Sequence, residues 1–241
     1  MSDETSSVKP AIAVPADARD LHAHISSQLK ELLYSGAASC LEELFRQRLS
    51  KVHLLLDNYQ KKIVAEYSRK VECSKGCSWC CNHWVEDVNS FEAEIIADFI
   101  RKKMPSSIEK IKKICEQDIA VLEYLDHLVN KKMVEEDIDD EEDSTVLLLS
   151  AFYRMNRPCP LLGTDGTCSI YDVRPLTCRV YMSFSSPDNC HPDNINRDDI
   201  PTYIMDLEED ANAVVDQLHF KYQKFNDDTG LRSLLLKYLQ R

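Results

Sequence analysis

Residues 73–81 have the sequence CSKGCSWCC, so that four cysteines fall within nine positions. A second group of four follows after a long helical pattern, at Cys159, Cys168, Cys178 and Cys190. Exposed thiolates oxidise, exchange with disulfides and capture metal ions, so unused cysteines are a liability in a protein. We therefore expect the two groups to converge on a metal or iron–sulfur centre, around which the rest of the chain is organised.

The spacing within the first group is typical of metal chelation. Thiolates are soft ligands that select zinc, iron–sulfur clusters or copper(I). The Cys77-x2-Cys80 step lets both sulfurs face one metal, and Gly76 can adopt the left-handed turn that brings Cys73 round. Cys80 and Cys81 are adjacent and point in different directions, so they serve two sites or leave one cysteine as a reactive spare. The eight cysteines could form two four-cysteine zinc sites, or one four-iron cluster with the rest left for a second centre or for redox work.

The charge and the glycine content of the chain exclude several classes of partner. Of the 241 residues, 29 are Lys or Arg and 41 are Asp or Glu, which gives a net charge of −12. Binding to nucleic acid or to an anionic membrane surface needs clustered basic residues, so we expect neither partner. Only five glycines are present, without the spacing of a Rossmann turn or a P-loop, so both of these nucleotide-binding motifs are excluded.

We expect the protein to be cytoplasmic. The sequence has no run of about 18 apolar residues, which a transmembrane helix would need. The N-terminal residues are polar and acidic and lack the apolar stretch of a secretory signal. In a reducing compartment, ten cysteines favour metal binding over a disulfide framework. Two of the ten, Cys40 and Cys115, fall within predicted helices away from the two groups, where we expect buried free thiols.

Apolar residues at helical spacing predict a mainly α fold, a helical domain with one irregular cysteine-rich metal-binding knot. Capping-box patterns predict helix starts at Ser39 and Asn89, with Glu42 and Glu92 three residues further on, and Gly36 predicts a helix stop. The apolar stripe that follows Ser39 is too wide for a strict coiled coil, so we expect a core-facing helix rather than a dimer seam.

The predicted organisation has four parts. They are a disordered N-terminus over 1–17, a helical hairpin over 18–69, a cysteine-cluster metal-binding domain over 70–199 with an acidic loop at 135–143, and C-terminal helices over 200–241, the first marked from Ile204. The apolar stretch 146–152 fits either a short helix or a strand. Prolines and glycines interrupt residues 157–199 so often that this segment cannot build a regular core, and metal ligation is a sufficient reason for it to fold.

Several residues near the cysteines have two open interpretations. His83 and His191 each follow a cysteine closely, and they are either ligands or ordinary loop histidines. Arg174 and Arg179 either offset thiolate charge and tune the potential of a bound cofactor, or hold carbonyl groups in a turn-rich loop. We expect Tyr171 to be a packed aromatic side chain.

The first cysteine group also matches a second motif. Cys73-x3-Cys77-x2-Cys80, with an aromatic residue before the last cysteine, is the pattern of the cluster loop in radical S-adenosylmethionine enzymes. Those enzymes are built on βα units with glycine-rich strands. The sequence shows no strand–helix alternation and few glycines, so its context contradicts this motif.

Residues 159–179, with the sequence CPLLGTDGTCSIYDVRPLTCR, carry a more specific resemblance. Together with residues 73–81 they resemble the bacterial cysteine-cluster family of the YkgJ type, whose members are described as zinc- or iron-chelating domains. Glu92-Ala93, which enters a predicted helix, is also similar to that family, and the resemblance covers about residues 70–192. It implies that the shared cysteines are Cys73, Cys77, Cys80, Cys81, Cys159, Cys168, Cys178 and, as the least definite, Cys190. Flagellin lysine methylases, which are longer chains, are distantly similar in the same region.

Three functions follow as hypotheses. The first is a metal-binding protein that holds an iron–sulfur cluster, with 4Fe–4S favoured, for redox or electron-transfer work. The second is a zinc-stapled, non-catalytic scaffold that presents helices to a protein partner. The third, implied by the resemblance alone, is a cluster-bearing enzyme similar to protein-lysine methyltransferases, which would act on a protein substrate. Whether the chain is an enzyme, as an iron–sulfur oxidoreductase or a lysine N-methyltransferase, stays open at this point.

Overall fold

The fold is mainly α, as predicted. The computed structural model describes residues 16–66, 76–136, 141–183, 186–194, 202–204, 207, 209–225 and 230–241. Within these residues the helices are α1 (Ala16–Leu33), α2 (Glu43–Glu66), α3 (Ser90–Lys103), α4 (Ile108–Glu135), α5 (Glu141–Arg154), α6 (Leu176–Val180), α7 (Glu209–Tyr222) and α8 (Leu231–Leu239). Two short strands, β1 (Tyr181–Ser183) and β2 (Thr202–Ile204), pair antiparallel with Tyr181 opposite Ile204.

Helices α1, α2 and α7 share the first of two hydrophobic cores. The predicted stripe of α2 is mostly buried there, because Phe45, Val52, Leu56 and Ile63 all face the cluster. The ring of Phe45 lies edge-on to two other aromatic rings, at 5.9 Å from Phe91 and 5.0 Å from Tyr222 between centroids. Such a helix faces its own core, as expected. Leu44, which the helical spacing of the sequence includes in this stripe, is exposed instead.

Helices α3, α4 and α8 form the second core, which supports the cysteines. Its centre contains Ile96 and Ile100 of α3, Ile111 of α4 and Leu235 of α8. Cys159 and Cys168 belong to the partly buried residues that pack against this core. The predicted division into four parts stays a prediction.

Two predicted helix starts turn out differently. Helix α3 begins at Ser90, and the Asn89 N–H donates to Glu92 Oε2 at 3.1 Å, which confirms the predicted start. Helix α2 begins at Glu43, four residues after the predicted Ser39. Glu42 does accept the Ser39 N–H at 3.1 Å, so the back-reaching half of the pattern forms, but it closes a turn that precedes the helix.

The remaining helix boundaries correct several expectations. Ile204 belongs to β2, and the helix predicted to be marked from it begins only at Glu209. The stretch 146–152 is helical, as part of α5. The expected acidic loop is shorter than 135–143, because α4 ends at Glu135 and α5 begins at Glu141, while residues 137–140 lie outside the described residues.

Both ends of α1 bear on the sequence predictions. The helix begins at Ala16, so the last two residues of the expected disordered segment are helical, and residues 1–15 lie outside the described residues. Helix α1 ends at Leu33, and Gly36 follows with a φ of 73°, in agreement with the predicted stop. Among the helices that the structure describes, none is both long and apolar enough to cross a membrane.

Candidate metal centre

Backbone contacts hold the two cysteine groups together. The Cys159 N–H donates to the Cys81 carbonyl at 2.7 Å, which joins the first group directly to the second. Gly166 faces the first group as well, since a Cβ atom on it would lie 3.1 Å from the Gly76 carbonyl oxygen. The two cysteine segments therefore meet through their backbones, and their convergence on one metal centre stays a prediction.

Cys159 and Cys168 lie at the two ends of a small hairpin. The Ser169 N–H donates to the Leu161 carbonyl at 2.9 Å, and the Gly163 N–H donates to the Thr167 carbonyl at 2.8 Å. These hydrogen bonds close a tight turn between the two cysteines. Both cysteines therefore pack against the second core.

Glu92 orients the helix that carries Cys178. This carboxylate is buried at the start of α3, and its Oε1 accepts the Leu176 N–H at 2.7 Å, at the start of α6. Cys178 lies in the first turn of α6, two residues after Leu176. Glu92, which the sequence resemblance had singled out, thus links α3, which follows the first cysteine group, to α6, which carries Cys178.

Five thiols form one electrostatic neighbourhood, which we call the thiol cluster: Cys80, Cys81, Cys159, Cys168 and Cys178. The pKa of Cys81 is raised, first by its hydrogen bond with the Cys80 thiol and then by burial and by the charges of Cys80, Cys159 and Cys168. Burial raises the pKa of Cys178, and the charges of Cys159, Cys80 and Cys168 raise it further. The same thiol–thiol hydrogen bond lowers the pKa of the exposed Cys80 to about 7.

Cys77 and Cys190 lie at the edge of this cluster. Burial raises the pKa of Cys77, and the charges of Cys80 and Cys190 act in the same direction. Cys190 ends a 3₁₀ turn over Pro187–Cys190, and its carbonyl accepts the Tyr153 hydroxyl. Cys73 lies outside the described residues. The structure therefore brings together seven of the eight predicted ligands, and their role as ligands stays a prediction.

The other two cysteines are buried, as expected, but they differ in position. Cys40 donates its thiol to Glu94 Oε2 at 3.4 Å in the first core. Cys115 is closer to the centre than predicted, since burial raises its pKa to about 12 and the charge of Cys159 contributes to this rise. The sequence pattern places Cys115 in a helix, but it does not show that this helix passes close to Cys159.

The structure separates the roles of the two arginines. Arg179 is buried, and its guanidinium donates to the carbonyls of Arg174 at 3.1 Å and Asp172 at 2.9 Å, with Asp57 at 3.5 Å. It therefore matches the loop-holding interpretation. Arg174 lies over the Tyr171 ring at 4.3 Å, and its positive charge lowers the pKa of Cys80 and Cys168 against the effect of burial.

Tyr171 is not the packed aromatic that the sequence predicted. Its side chain is 58% exposed, because the ring covers the guanidinium of Arg174 instead of entering a core. Arg174 Nε is buried without a hydrogen-bond partner among the described residues. A buried cationic donor of this kind needs an acceptor, and a thiolate of the neighbouring cluster would supply one.

Both histidines have aromatic neighbours. His83 stacks on Tyr153 with ring centroids 3.9 Å apart and ring planes 9° apart, and burial lowers its pKa to about 4, so that it is neutral at pH 7. His191 packs edge-on to Trp79 at 4.7 Å, and its Nδ1 accepts the Asp193 N–H at 3.2 Å. Whether either histidine binds metal stays open.

A group of buried charges beside the centre has no counterpart among the residues predicted from the sequence. Asp118 of α4 accepts from Arg232 Nε at 2.8 Å and from Arg157 Nε at 2.6 Å, and both Asp118 and Arg232 are 1% exposed. One sequence signal could have indicated it. Asp118 occupies a core-facing position of an amphipathic helix, three residues after Cys115, where a charge requires a partner.

The donor set suits a thiolate-bound metal centre. Closely spaced thiols resist ionisation because their negative charges repel each other, and a shared cation removes that penalty. The partnerless Arg174 Nε fits the same interpretation. No three Cys, His, Asp or Glu side chains within the described part of the chain are arranged around one point as ligands of a single ion. The thiols are neighbours without converging on one atom.

Comparison with known proteins agrees with the geometry. The model of the CxxCxxCC family, described as a putative zinc- or iron-chelating domain, matches residues 72–199, more than half of the chain. Neither a curated protein nor a solved structure matches the chain. The matched range begins just before Cys73 and ends beyond Cys190, so it contains both cysteine groups. The chain therefore belongs to the CxxCxxCC family of zinc- or iron-chelating domains, as its cysteine pattern predicted.

Proposed function

We propose that the thiol cluster binds an iron–sulfur cluster and that the protein uses it for redox or electron-transfer work. One observation carries this proposal: the thiols influence one another's pKa, and the two segments that bear them are joined by the backbone hydrogen bond from Cys159 to Cys81. Four thiolates around zinc lie about 3.8 Å apart, given Zn–S bonds of about 2.3 Å in a tetrahedron. Iron and sulfide ions lie between the cysteines of a cluster and hold them further apart. The thiol cluster has five members, more than the four ligands of one zinc ion, which supports the larger group.

Arg174 would balance the charge of this centre. When bound, the cluster would supply one-electron transfer, and four thiolate ligands make its surroundings negative. The Arg174 Nε–H has no partner among the described residues and would be free to donate to a thiolate, and the Arg174 charge favours the ionised forms of Cys80 and Cys168. Hydrogen bonds and positive charge near the sulfurs raise a reduction potential. Arg179 would act indirectly, by holding the Arg174 carbonyl and the loop around it.

The exposed side of the centre suits an electron-transfer partner. Cys80 and Tyr171 are both exposed, whereas Cys159 is half-buried and packs against the second core. A protein partner could therefore approach the centre from the side of Cys80. The partner itself, like the cytoplasmic location, stays a prediction.

The test is the metal and sulfide content of protein purified without oxygen. We expect about four irons and four sulfides per chain, with broad absorption near ~400 nm. Cys168→Ser should lose most of this absorption, while Cys40→Ser, whose thiol bonds Glu94 in the first core, should retain it. A colourless protein with zinc and without sulfide would contradict the proposal.

A zinc-stapled scaffold is the second candidate. It is favoured by the structure of residues 157–183 and 186–194, where regular elements are limited to the five-residue α6, the three-residue β1 and short 3₁₀ turns. A segment with so little regular structure gains folding free energy from a structural metal. The same assay separates the candidates, because a scaffold would contain one or two zinc ions and no sulfide. The methyltransferase interpretation stays a prediction that rests on the resemblance.

A further inference from the structure

Arg232 of α8 lies where the two cysteine-bearing segments meet. Its guanidinium donates to the His83 carbonyl from Nη1 and to the Arg157 carbonyl from Nη2, each at 3.0 Å. His83 follows Cys81 by two residues, and Arg157 precedes Cys159 by two residues. One side chain therefore bridges the two segments, which the direct hydrogen bond from Cys159 to Cys81 also joins.

The surroundings of Arg232 fix its orientation. Asp118 accepts its Nε–H at 2.8 Å, so that all three nitrogens of the guanidinium donate hydrogen bonds, to one carboxylate and two carbonyls. The rings of Trp84 and Phe152 lie 5.3 and 5.1 Å from its central carbon. An arginine held in this way has little freedom, because a planar fork with several fixed acceptors permits one geometry.

The chain before Arg232 approaches the same segment closely. The Leu231 N–H donates to the Val85 carbonyl at 2.8 Å. Gly230 has a φ of 90°, and a Cβ atom on it would lie 2.4 Å from the Val85 carbonyl oxygen. Only glycine allows the start of α8 to reach the backbone that follows Cys81.

We propose that Arg232 is a positioning residue for the metal centre, because it holds the carbonyls beside Cys81 and Cys159 at one fixed separation. The inference rests on the proposed binding of metal by these cysteines, whether the group is an iron–sulfur cluster or zinc. Arg232 lies outside the range 72–199 that matches the family. This chain therefore completes its metal centre with a helix beyond the matched domain.

The test compares three variants of the full chain. Arg232→Met removes both the fork and the charge, whereas Arg232→Lys keeps the charge and loses the fork. Lys237→Met is the control, since Lys237 belongs to the same helix but lies over the Phe225 ring at 5.7 Å. Metal-free protein is titrated with cobalt(II), which reports thiolate coordination by its charge-transfer absorption, and with zinc against a coloured chelator.

We expect a loss of metal affinity of about 10- to 100-fold for Arg232→Met, the range for outer-shell partners of metal ligands. Arg232→Lys should lose affinity too and should alter the cobalt spectrum, because a lysine cannot hold two carbonyls and a carboxylate at once. Lys237→Met should behave as the unsubstituted protein. Equal affinities and spectra for all four proteins would overturn the inference, and so would an equal loss in the control.

A second readout keeps the inference separate from the proposed function. In metal-free protein, the alkylation rate of Cys159 relative to Cys40 is measured by mass spectrometry. Arg232→Lys keeps the positive charge and should raise this ratio several-fold, because the backbone around Cys159 is released, and an unchanged ratio would contradict the positioning role. If the unsubstituted protein binds no metal, the proposed function fails, while the alkylation ratio still decides about Arg232. If Arg232→Met does not fold, the double variant Asp118→Asn, Arg232→Met takes its place, because it removes the buried carboxylate together with its Arg232 partner.

Discussion

At the scale of single residues, burial decides the protonation of side chains that the sequence shows only as titratable. His53 is buried in α2, and its Nε2 has no hydrogen-bond partner among the described residues. Burial, together with the charges of Arg179 and Arg174, lowers its pKa from 6.5 to about 3. The folded protein therefore holds His53 neutral at pH values where the unfolded chain is protonated.

This difference makes the stability depend on pH. Between pH 6.5 and pH 3 the unfolded state binds one more proton at His53 than the folded state, so the free energy of unfolding falls as the pH falls. At pH 5 the loss relative to pH 7 is about 2 kcal/mol from this group. Urea unfolding of His53→Met at both pH values should show a smaller difference than the unsubstituted protein. Identical pH dependence in the two proteins would rule out this role of His53.

Glu92 is the second residue whose environment only the structure shows. It is 2% exposed, and its two oxygens accept the Leu176 N–H at 2.7 Å and the Asn89 N–H at 3.1 Å. Glu92→Gln replaces one acceptor by a donor, so one of these buried N–H groups loses its partner. We expect a loss of about 1–3 kcal/mol in the free energy of unfolding.

Glu42→Gln is the matched control for Glu92. Glu42 accepts the Ala38 and Ser39 N–H groups before α2 in the same way, but it is exposed. Water can replace a lost partner there, so we expect a change of about 0.5 kcal/mol or less. Equal effects of the two substitutions, measured by urea unfolding, would show that the link between α3 and α6 contributes little.

At the scale of elements, the start of α8 depends on one glycine. Gly230→Ala would place a Cβ 2.4 Å from the Val85 carbonyl oxygen and 3.0 Å from Trp84 Nε1, at a φ of 90°. Backbone strain and overlap add, so we expect a loss of about 3 kcal/mol or more in the free energy of unfolding. The contact between α8 and the backbone beyond Cys81 should weaken with it.

Gly36→Ala separates the effect of backbone strain at a positive φ from the effect of steric overlap with neighbouring atoms. Gly36 also has a positive φ, of 73°, but a Cβ atom on it would meet no other atom within 4 Å among the described residues, so the substitution adds strain alone. We expect a loss of about 1 kcal/mol at this position. Thermal or urea unfolding of both variants measures the difference, and equal losses would contradict the close approach at Gly230.

Element boundaries show where sequence patterns are reliable. The box at Asn89 predicted the start of α3 correctly because both of its partners lie within one turn. The similar pattern at Ser39 precedes α2 by four residues, since its contacts also close a turn that is not yet helical. Ile204 fitted a helical stripe, but it pairs with Tyr181 of β1, and a strand partner so distant in sequence leaves no local signal.

At the scale of the whole molecule, metal removal should affect one region first. Within residues 157–183 and 186–194 the regular elements are short, whereas α1 and α2 are long helices with a shared core. We expect chelation to raise amide hydrogen exchange in the cysteine-rich region while α1 and α2 keep their protection. Mass spectrometry of peptides from both regions measures this. An equal loss of protection in both regions, or no loss in the cysteine-rich region, would contradict it.

The sequence by itself determined the mainly α class, the family and the two cysteine groups, because helical periodicity and ligand spacing are local and are written into neighbouring positions. It did not decide whether Arg174 and Arg179 balance the charge of a cofactor or hold loop carbonyls. It also predicted that Cys115 lies away from the centre and that Tyr171 is a packed aromatic side chain. The tertiary structure decided these points. It directed Arg179 to carbonyls, Arg174 toward the thiols and Arg232 across both cysteine segments. Burial and contacts such as that between Arg232 and the His83 carbonyl, 149 positions apart, depend on how the helices pack, which no local pattern encodes.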